Sequence, residues 1–327
     1  MILNTIFFGS SNYCLPILDL LRNNFHLLAV ITKPDRPTGR KQILTPSAVK
    51  KYALSHNIQV FTPSDRDELL LLRKSIPDHS PDLAVVADYG IIIPKTIINL
   101  PKYKTINIHF SRLPRLRGAA PVQHTILLGE KSAWISIFLM EEKLDTGDIL
   151  WQKELKLEGV ETSDFLYHRL FDIAADNLPE IIDKCAQGKI KPVKQDHSKA
   201  TYTKRLTKED GFIPFPFFKL ALEGGKPTEA QLYSWLLYNS LISKHHTDCA
   251  TLIERAVRAF SPWPGVWTII KLKTQMSKVK SEEKRLKILK AHIEPAARLV
   301  PDLVQLEGKN PVSWKQFLTA YPGLFQN

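Results

Sequence analysis

The run Leu83-Ala84-Val85-Val86-Ala87 carries no polar side chain on either of its faces. A strand apolar at every position cannot keep one face wet, so it belongs inside a parallel sheet covered by helices on both sides. The neighbouring segments agree. "TIFFG" from Thr5, "LLAVIT" from Leu27, "TINIH" from Thr105 and "AWISIFLM" from Ala133 read as further strands. Helical patterns near Asn12–Arg22, Ser47–His56, Pro121–Leu128 and Ser163–Gln187 alternate with them, the last with Gly188 as a C-cap. That alternation predicts an α/β, Rossmann-like, mostly parallel sheet. "KPDRPTGRKQILTP" between the second strand and its helix reads as a loop.

The pattern changes past "KIKPVKQDHSKATYTKRL", which is polar, basic and short of large apolar residues. It reads as a linker. The expected division is residues 1–189 as the α/β domain, 190–204 as the linker and 205–327 as a smaller, mainly β domain. Its strand-like segments are "RAFSPWPGVWTIIKLK" and "KRLKILKAH". An apolar content of 44% and a charged content of 24% suit a chain that buries a real core. No run approaches the roughly 18 apolar residues of a membrane helix. The N-terminal segment lacks a basic region and a cleavage site, and reads as a first strand rather than a signal peptide. Cys14, Cys185 and Cys249 are far apart and form no CxxC, the usage of free thiols in a reducing cytoplasm.

Open parallel sheets bind ligands outside the carboxyl ends of their strands. Gly9, Tyr89, Gly90 and the pair Asn107 and His109 fall at such ends. Asn107 and His109, two apart on a strand, share a face. "LDTGDIL" adds Asp145 in a turn after an apolar strand. The three residue types suit acyl transfer to an amine: an amide or imidazolium stabilises the oxyanion, His moves a proton, and a carboxylate orients it. From spacing alone, a hydrogen-bonded pair at a sheet edge and an Asx turn at Asp145 account for the same residues.

A net charge of +12 favours a polyanionic partner, since neutralised phosphates release counterions. Two basic groups stand out. One runs from Lys271 to Lys290, with Lys271 and Lys273 on its first strand. The other, Lys33, Arg36, Arg40 and Lys41, lies on the Pro/Gly-broken loop. The first could equally be the wet face of a strand pair. "KHHTDC", with His245, His246, Asp248 and Cys249, matches no structural zinc spacing and reads as a solvated loop, so no metal is expected. Gly9 followed by "SSN" is no GxGxxG, and a nicotinamide cofactor gains no support.

"NIHFSRLPRLRGAAPVQ" together with "LDTGDIL" closely resembles the signature of the folate-dependent formyltransferases. Over nearly the whole chain the similarity is to those members that formylate methionyl initiator tRNA, through "VITKPDRPTGRKQILTPSAVKKYAL", "DLAVVADYGIIIPK", "YTKRLTKEDG", "VRAFSPWPGVW", "RLKILKA" and "VQLEGKNPVSWKQFL". The resemblance implies the formyltransferase fold, with an OB-like, tRNA-binding C-terminal domain. It implies 10-formyltetrahydrofolate as donor and the methionine α-amino group of initiator tRNA as acceptor, in translation initiation. Asn107 would hold the formyl oxygen, His109 would stabilise the oxyanion or move a proton, and Asp145 would orient His109. Tyr89, Gly90, Ser111, Arg112, Leu113 and Pro114 would contact the folate. Arg40 would reach the acceptor end of the tRNA, with Arg36, Lys41, Lys271 and Lys273 as further tRNA contacts. A cytoplasmic monomer is expected.

The chain departs from that pattern in three places. Arg112 stands where the family usually has Leu. Pro214 to Ile253 is long and includes "EAQLYSWLLYNSLI", an atypical helical insertion that could cover a sheet edge. Only "IEPAARLVPDL" separates "KILKAH" from "VQLEGK", so the C-terminal barrel should be smaller or partly open. The alternative function is amino-sugar nucleotide formylation, in which neither the basic loop nor the charge would have a use. Glycinamide ribonucleotide transformylase shares the trio but lacks the C-terminal landmarks. An inactive RNA-binding protein of the same fold is the alternative from another class.

Overall fold

The unbroken apolar run from Leu83 is buried along its whole length. In the computed structural model, which describes residues 2–39, 41–76, 81–228, 248–273 and 281–324, it lies near the middle of a seven-stranded sheet. The elements leading to it are β1 (Asn4–Gly9), α1 (Leu15–Asn24), β2 (His26–Ile31), β3 (Arg36–Thr38), β4 (Ile43–Thr45), α2 (Ala48–Ser55), β5 (Gln59–Phe61) and α3 (Arg66–Leu71). The run itself is β6 (Leu83–Ala87), followed by α4 (Lys95–Ile98), β7 (Thr105–His109), β8 (Arg117–Gly118) and α5 (Pro121–Leu127). β9 (Ser132–Leu139), β10 (Ile149–Lys156), α6 (Ser163–Ala186) and β11 (Tyr202–Thr203) complete this part.

The sheet order is β10-β9-β7-β6-β1-β2-β5. From β1 the chain winds outward through β2 to β5, then crosses to β6 on the other side of β1 and winds outward through β7. All these pairs are parallel. Such a reversal opens a crevice at the strand ends. β9 breaks the rule: it runs antiparallel to β7, with Leu139 beside Ile106 and Ser136 beside His109.

Two features differ from the sequence expectation. The loop between β2 and α2 holds an antiparallel hairpin, β3 against β4, in register Arg36 with Thr45. β10 was not expected as a strand. It is an edge strand with no fully buried position, and its polar middle, Gln152-Lys153-Glu154, hides the strand period.

Two compact units divide the chain. One comprises residues 1–121, 133–155 and 167–202, the other 122–132, 156–166 and 203–327. The second contains α7 (Phe215–Leu222), α8 (Cys249–Ala259), β12 (Val266–Lys273), β13 (Ser281–Glu294), β14 (Arg298–Leu306), β15 (Val312–Ser313) and α9 (Trp314–Ala320). Its strands form one antiparallel sheet in chain order, with β12 and β15 at the edges among the described residues. α7 and α8 pack on that sheet. Phe217, Phe218, Ile253, Ala256, Ile270, Leu286 and Val304 are all buried. A fully buried Phe contributes about 1.5–3 kcal/mol of apolar burial. The smaller β domain expected from the sequence is therefore present with helices the sequence reading did not supply. The helical pattern at 229–242 lies outside the described residues, and with it the proposed edge cover.

Candidate active site

A cleft of about 520 Å³ opens in the first unit, lined by the segment after β6, the end of β7, residues 118–121 and the loop 140–145. That volume is in the usual range of about 300–1,000 Å³ for small-molecule sites. Asn107, His109, Asp145, Tyr89 and Gly90 all line it. A larger cavity of about 850 Å³, bounded by Lys104, Arg117, Asp148 and His197, contains none of the three candidate catalytic residues.

Asn107 and His109 reach the cleft because they sit two apart on β7, and so point to the same side of the sheet. The Asn107 side chain forms no hydrogen bond among the described residues, so its amide is available to a ligand. His109 is fixed. Its Nε2 lies 2.9 Å from the Leu116 carbonyl, an acceptor, so this nitrogen carries a proton. Its Nδ1 lies 3.7 Å from Asp145 Oδ2, with both side chains buried, 7% and 9% exposed. A proton taken up at Nδ1 would meet the carboxylate.

Bringing Asp145 there takes more than its place after β9. That strand ends beside the start of β7, so residues 140–147 must turn back. Gly147 permits the return: a Cβ would stand 1.7 Å from the Leu139 carbonyl oxygen. Asp145 itself adopts φ of 51°, the left-handed region that Asp tolerates better than most residues. Its Oδ2 accepts the Gly118 N–H at 2.6 Å.

Tyr89 is buried against Phe8, ring centroids 5.4 Å apart, and its hydroxyl has no partner among the described residues. Burial raises its phenol pKa, so it stays a donor. Gly90 takes φ of +77° beside the Lys33 side chain. Ile91, Ile92, Ile93, Phe110 and Phe138 add an apolar wall. Asp88, His109, Glu141, Glu142, Lys143 and Asp145 line the polar part of the cleft, so a ligand with a flat apolar body and polar edges fits it.

Ser111, Arg112, Leu113 and Pro114 do not line the cleft. They form the turn behind it. Ser136 Oγ donates to the Ser111 carbonyl at 2.6 Å, and the Leu113 N–H donates to Ser136 Oγ at 3.3 Å. Arg112, the departure from the family's Leu, is exposed and lays its guanidinium 4.6 Å over the Trp134 ring. Arg36 and Lys41 are exposed on the β3–β4 hairpin; Arg40 lies outside the described residues. Lys271 is exposed on β12, 3.6 Å from Glu283, and Lys273 ends that strand. Asp248 caps α8, accepting the Thr251 N–H at 2.8 Å, while His245 and His246 lie outside the described residues. Among the described residues no group of three or more His, Cys, Asp or Glu could hold a metal, and no helix is long and apolar enough to cross a membrane.

Two residues at this site were not anticipated. Arg117 is 1% exposed and Gln195 is 6% exposed. In sequence they read as a basic loop residue and a linker residue; nothing in their spacing marks them as buried.

Residues 2–182 match the model of the formyl transferase family, and residues 245–301 match that of the formyl transferase C-terminal domain. The chain belongs to the formyl transferase family. The resemblance read from the Asn107, His109 and Asp145 motifs is thereby borne out. Among curated relatives, a methionyl-tRNA formyltransferase from Bacillus cytotoxicus is 39% identical over 63% of this chain and 66% of its own length, just under two thirds. The corresponding enzyme of a Sulfurihydrogenibium species is 38% identical over 65% of this chain and 69% of its own. That of Bacillus velezensis is 34% identical over 85% and 78%. A solved methionyl-tRNA formyltransferase from Clostridium thermocellum shares the fold, with a TM-score of 0.53 at 18% identity, over 93% of this chain and 99% of that one. An N-formyltransferase from Helicobacter canadensis, solved with folinic acid and dTDP-3-aminofucose, shares it too, with a TM-score of 0.54 at 18% identity over 88% and 95%.

Proposed function

We propose that this chain transfers the formyl group of 10-formyltetrahydrofolate to the α-amino group of methionyl initiator tRNA. One observation carries the reading: the unpaired Asn107 amide, His109 and Asp145 meet on one wall of a single cleft, with Nδ1 of His109 3.7 Å from Asp145. The folate supplies an activated formyl carbonyl. Adding an amine to it puts negative charge on the carbonyl oxygen, where a fixed donor acts most strongly in a site that excludes water. Asn107 donates its amide N–H there. His109, held through Nε2, takes the amine's proton at Nδ1 beside Asp145 and gives it to the folate nitrogen as the bond from that nitrogen to the formyl carbon breaks and tetrahydrofolate leaves, while Asp145 fixes the ring. The attacking amine needs little activation, since free α-amino groups titrate near 7.7–8.0.

Tyr89 and Gly90 hold the folate ring. Ser111, Arg112, Leu113 and Pro114 serve it through backbone placement rather than side chains. Arg36, Arg40, Lys41, Lys271 and Lys273 contact the tRNA. Residues 1–189 carry the chemistry, 190–204 connect, and 205–327 bind tRNA. The enzyme acts as a cytoplasmic monomer. The basic groups on β3–β4 and β12 favour a tRNA over a nucleotide amino-sugar.

The test is direct: charged initiator tRNA and a nucleotide amino-sugar are each incubated with the folate donor and the full chain. Gain of a formyl mass on the tRNA is expected. Formylation of the sugar alone would overturn the reading.

A further inference from the structure

Asp145 occupies a backbone conformation that costs energy, at the tip of a loop that must double back. Such a residue keeps its place only if its surroundings over-determine it. Gln195 does this. Its side-chain NH₂ donates to two carbonyls of the loop, that of Asp145 at 2.9 Å and that of Gly147 at 2.7 Å. Its Oε1 accepts from Arg117, Nε at 3.2 Å and Nη2 at 2.6 Å. Both protons of the amide and both lone pairs are used. A flipped amide would turn its oxygen on two carbonyls and its NH₂ on a guanidinium, so a single orientation holds.

The same three consecutive residues serve both His109 and Asp145. The Leu116 carbonyl faces His109 Nε2, the Gly118 N–H binds the Asp145 carboxylate, and the Arg117 side chain between them grips Gln195. A closed ring results, running from the Asp145 carboxylate through Gly118 and Arg117 to Gln195 and back to the Asp145 carbonyl. Gln195 itself is anchored by its chain. Val193 bridges Ile149, and the Arg117 N–H donates to the Thr201 carbonyl at 2.8 Å.

We infer that Gln195, oriented by Arg117, is a positioning residue that sets the Asp145 carboxylate against His109, so that part of the apparent linker is a working piece of the active site. The inference rests on the proposed role of Asp145. It names a residue that touches neither donor nor acceptor.

The test uses the full chain with Gln195→Met and Gln195→Glu. The Glu variant keeps the acceptor for Arg117 but replaces both donors to the loop with an oxygen facing its two carbonyls, whereas the Met variant, of similar volume, removes the bonds without that repulsion. Expected is a fall in kcat of about 10²-fold, the scale of a 1 Å misplacement, with KM for folate and for tRNA within about twofold. In an Asp145→Asn background neither variant should lower kcat further, because both act through the same carboxylate. A second readout is independent of turnover. With ¹⁵N-glycine labelling, the Gly118 amide proton, downfield through its short bond to a carboxylate, moves upfield in both Gln195 variants while glycines other than Gly147, which also bonds Gln195, hold still. Unchanged kcat, an additive loss in the Asp145→Asn background, or an unmoved Gly118 signal would each overturn the inference. Wild-type turnover of Asp145→Asn alone would instead sink the assigned role of Asp145, and the Gly118 signal would still report whether Gln195 holds the loop.

Discussion

Removing the Asn107 amide takes away a fixed donor and nothing else, since it holds no other described residue. Asn107→Ala should therefore lose about 10²–10³ in kcat while its melting temperature stays within a degree or two of wild type. His109→Ala should lose as much; unaltered steady-state kinetics for either would remove that residue from the mechanism. Gly147→Ala belongs with them for a different reason. Its Cβ would stand 1.7 Å from a backbone oxygen, so the loop cannot close and Asp145 cannot reach His109. Expected is a collapse of turnover together with a lower urea midpoint. At this scale the sequence was half transparent. Asn107 and His109 share a face by simple alternation, and the Asp145 turn was readable from its Thr-Gly. The meeting of Asp145 with His109 was not, because β9 runs the wrong way for it and only the folded loop corrects that. Gln195 was hidden altogether: an amide is buried here by hydrogen bonds to backbone, which leave no pattern in sequence.

Among the elements, Ser47 starts α2 by accepting the Lys50 N–H at 2.9 Å. Ser47→Ala should cost about 1 kcal/mol, measurable by urea unfolding. Phe218, wholly buried between α7 and its sheet, is a more severe case, and Phe218→Ala should cost about 3–5 kcal/mol. The short turn after Gln195 offers a titration. Asp196 is pushed down from 3.8 to about 2, first by the Ser198 hydroxyl, then by Lys199 and the Ser198 N–H. A lowered carboxylate stabilises the fold above its unfolded value and loses that contribution as pH falls through the folded one. The gap in melting temperature between wild type and Asp196→Ala should thus be open at pH 6 and shrink from about pH 4 toward pH 2. Strands buried on both faces announced themselves. The edge strand β10, half wet and polar in the middle, did not. α8 could have been found, since Cys249, Leu252, Ile253, Ala256 and Val257 recur at helical spacing and are all buried.

For the whole chain, a net charge of +12 should make the proposed recognition of tRNA depend steeply on salt. KM for charged tRNA should rise severalfold between about 50 and 200 mM salt, with the folate KM nearly constant; a flat tRNA KM would argue against phosphate contacts. The two-part plan and the mixed sheet were legible because composition and period both change along the chain. The unit boundaries were not: short stretches at 122–132 and 156–166 belong with the later half, and no local pattern reports a long-range allegiance. The stretch that looked like a tether has a practical consequence for anyone trimming this enzyme. A fragment stopped at residue 189, where hydrophobic patterning suggests a clean end, would retain every reacting side chain and discard the amide that aims one of them. Its turnover should be poor, and the cut would also part residues 122–132 and 156–166 from the unit to which they belong.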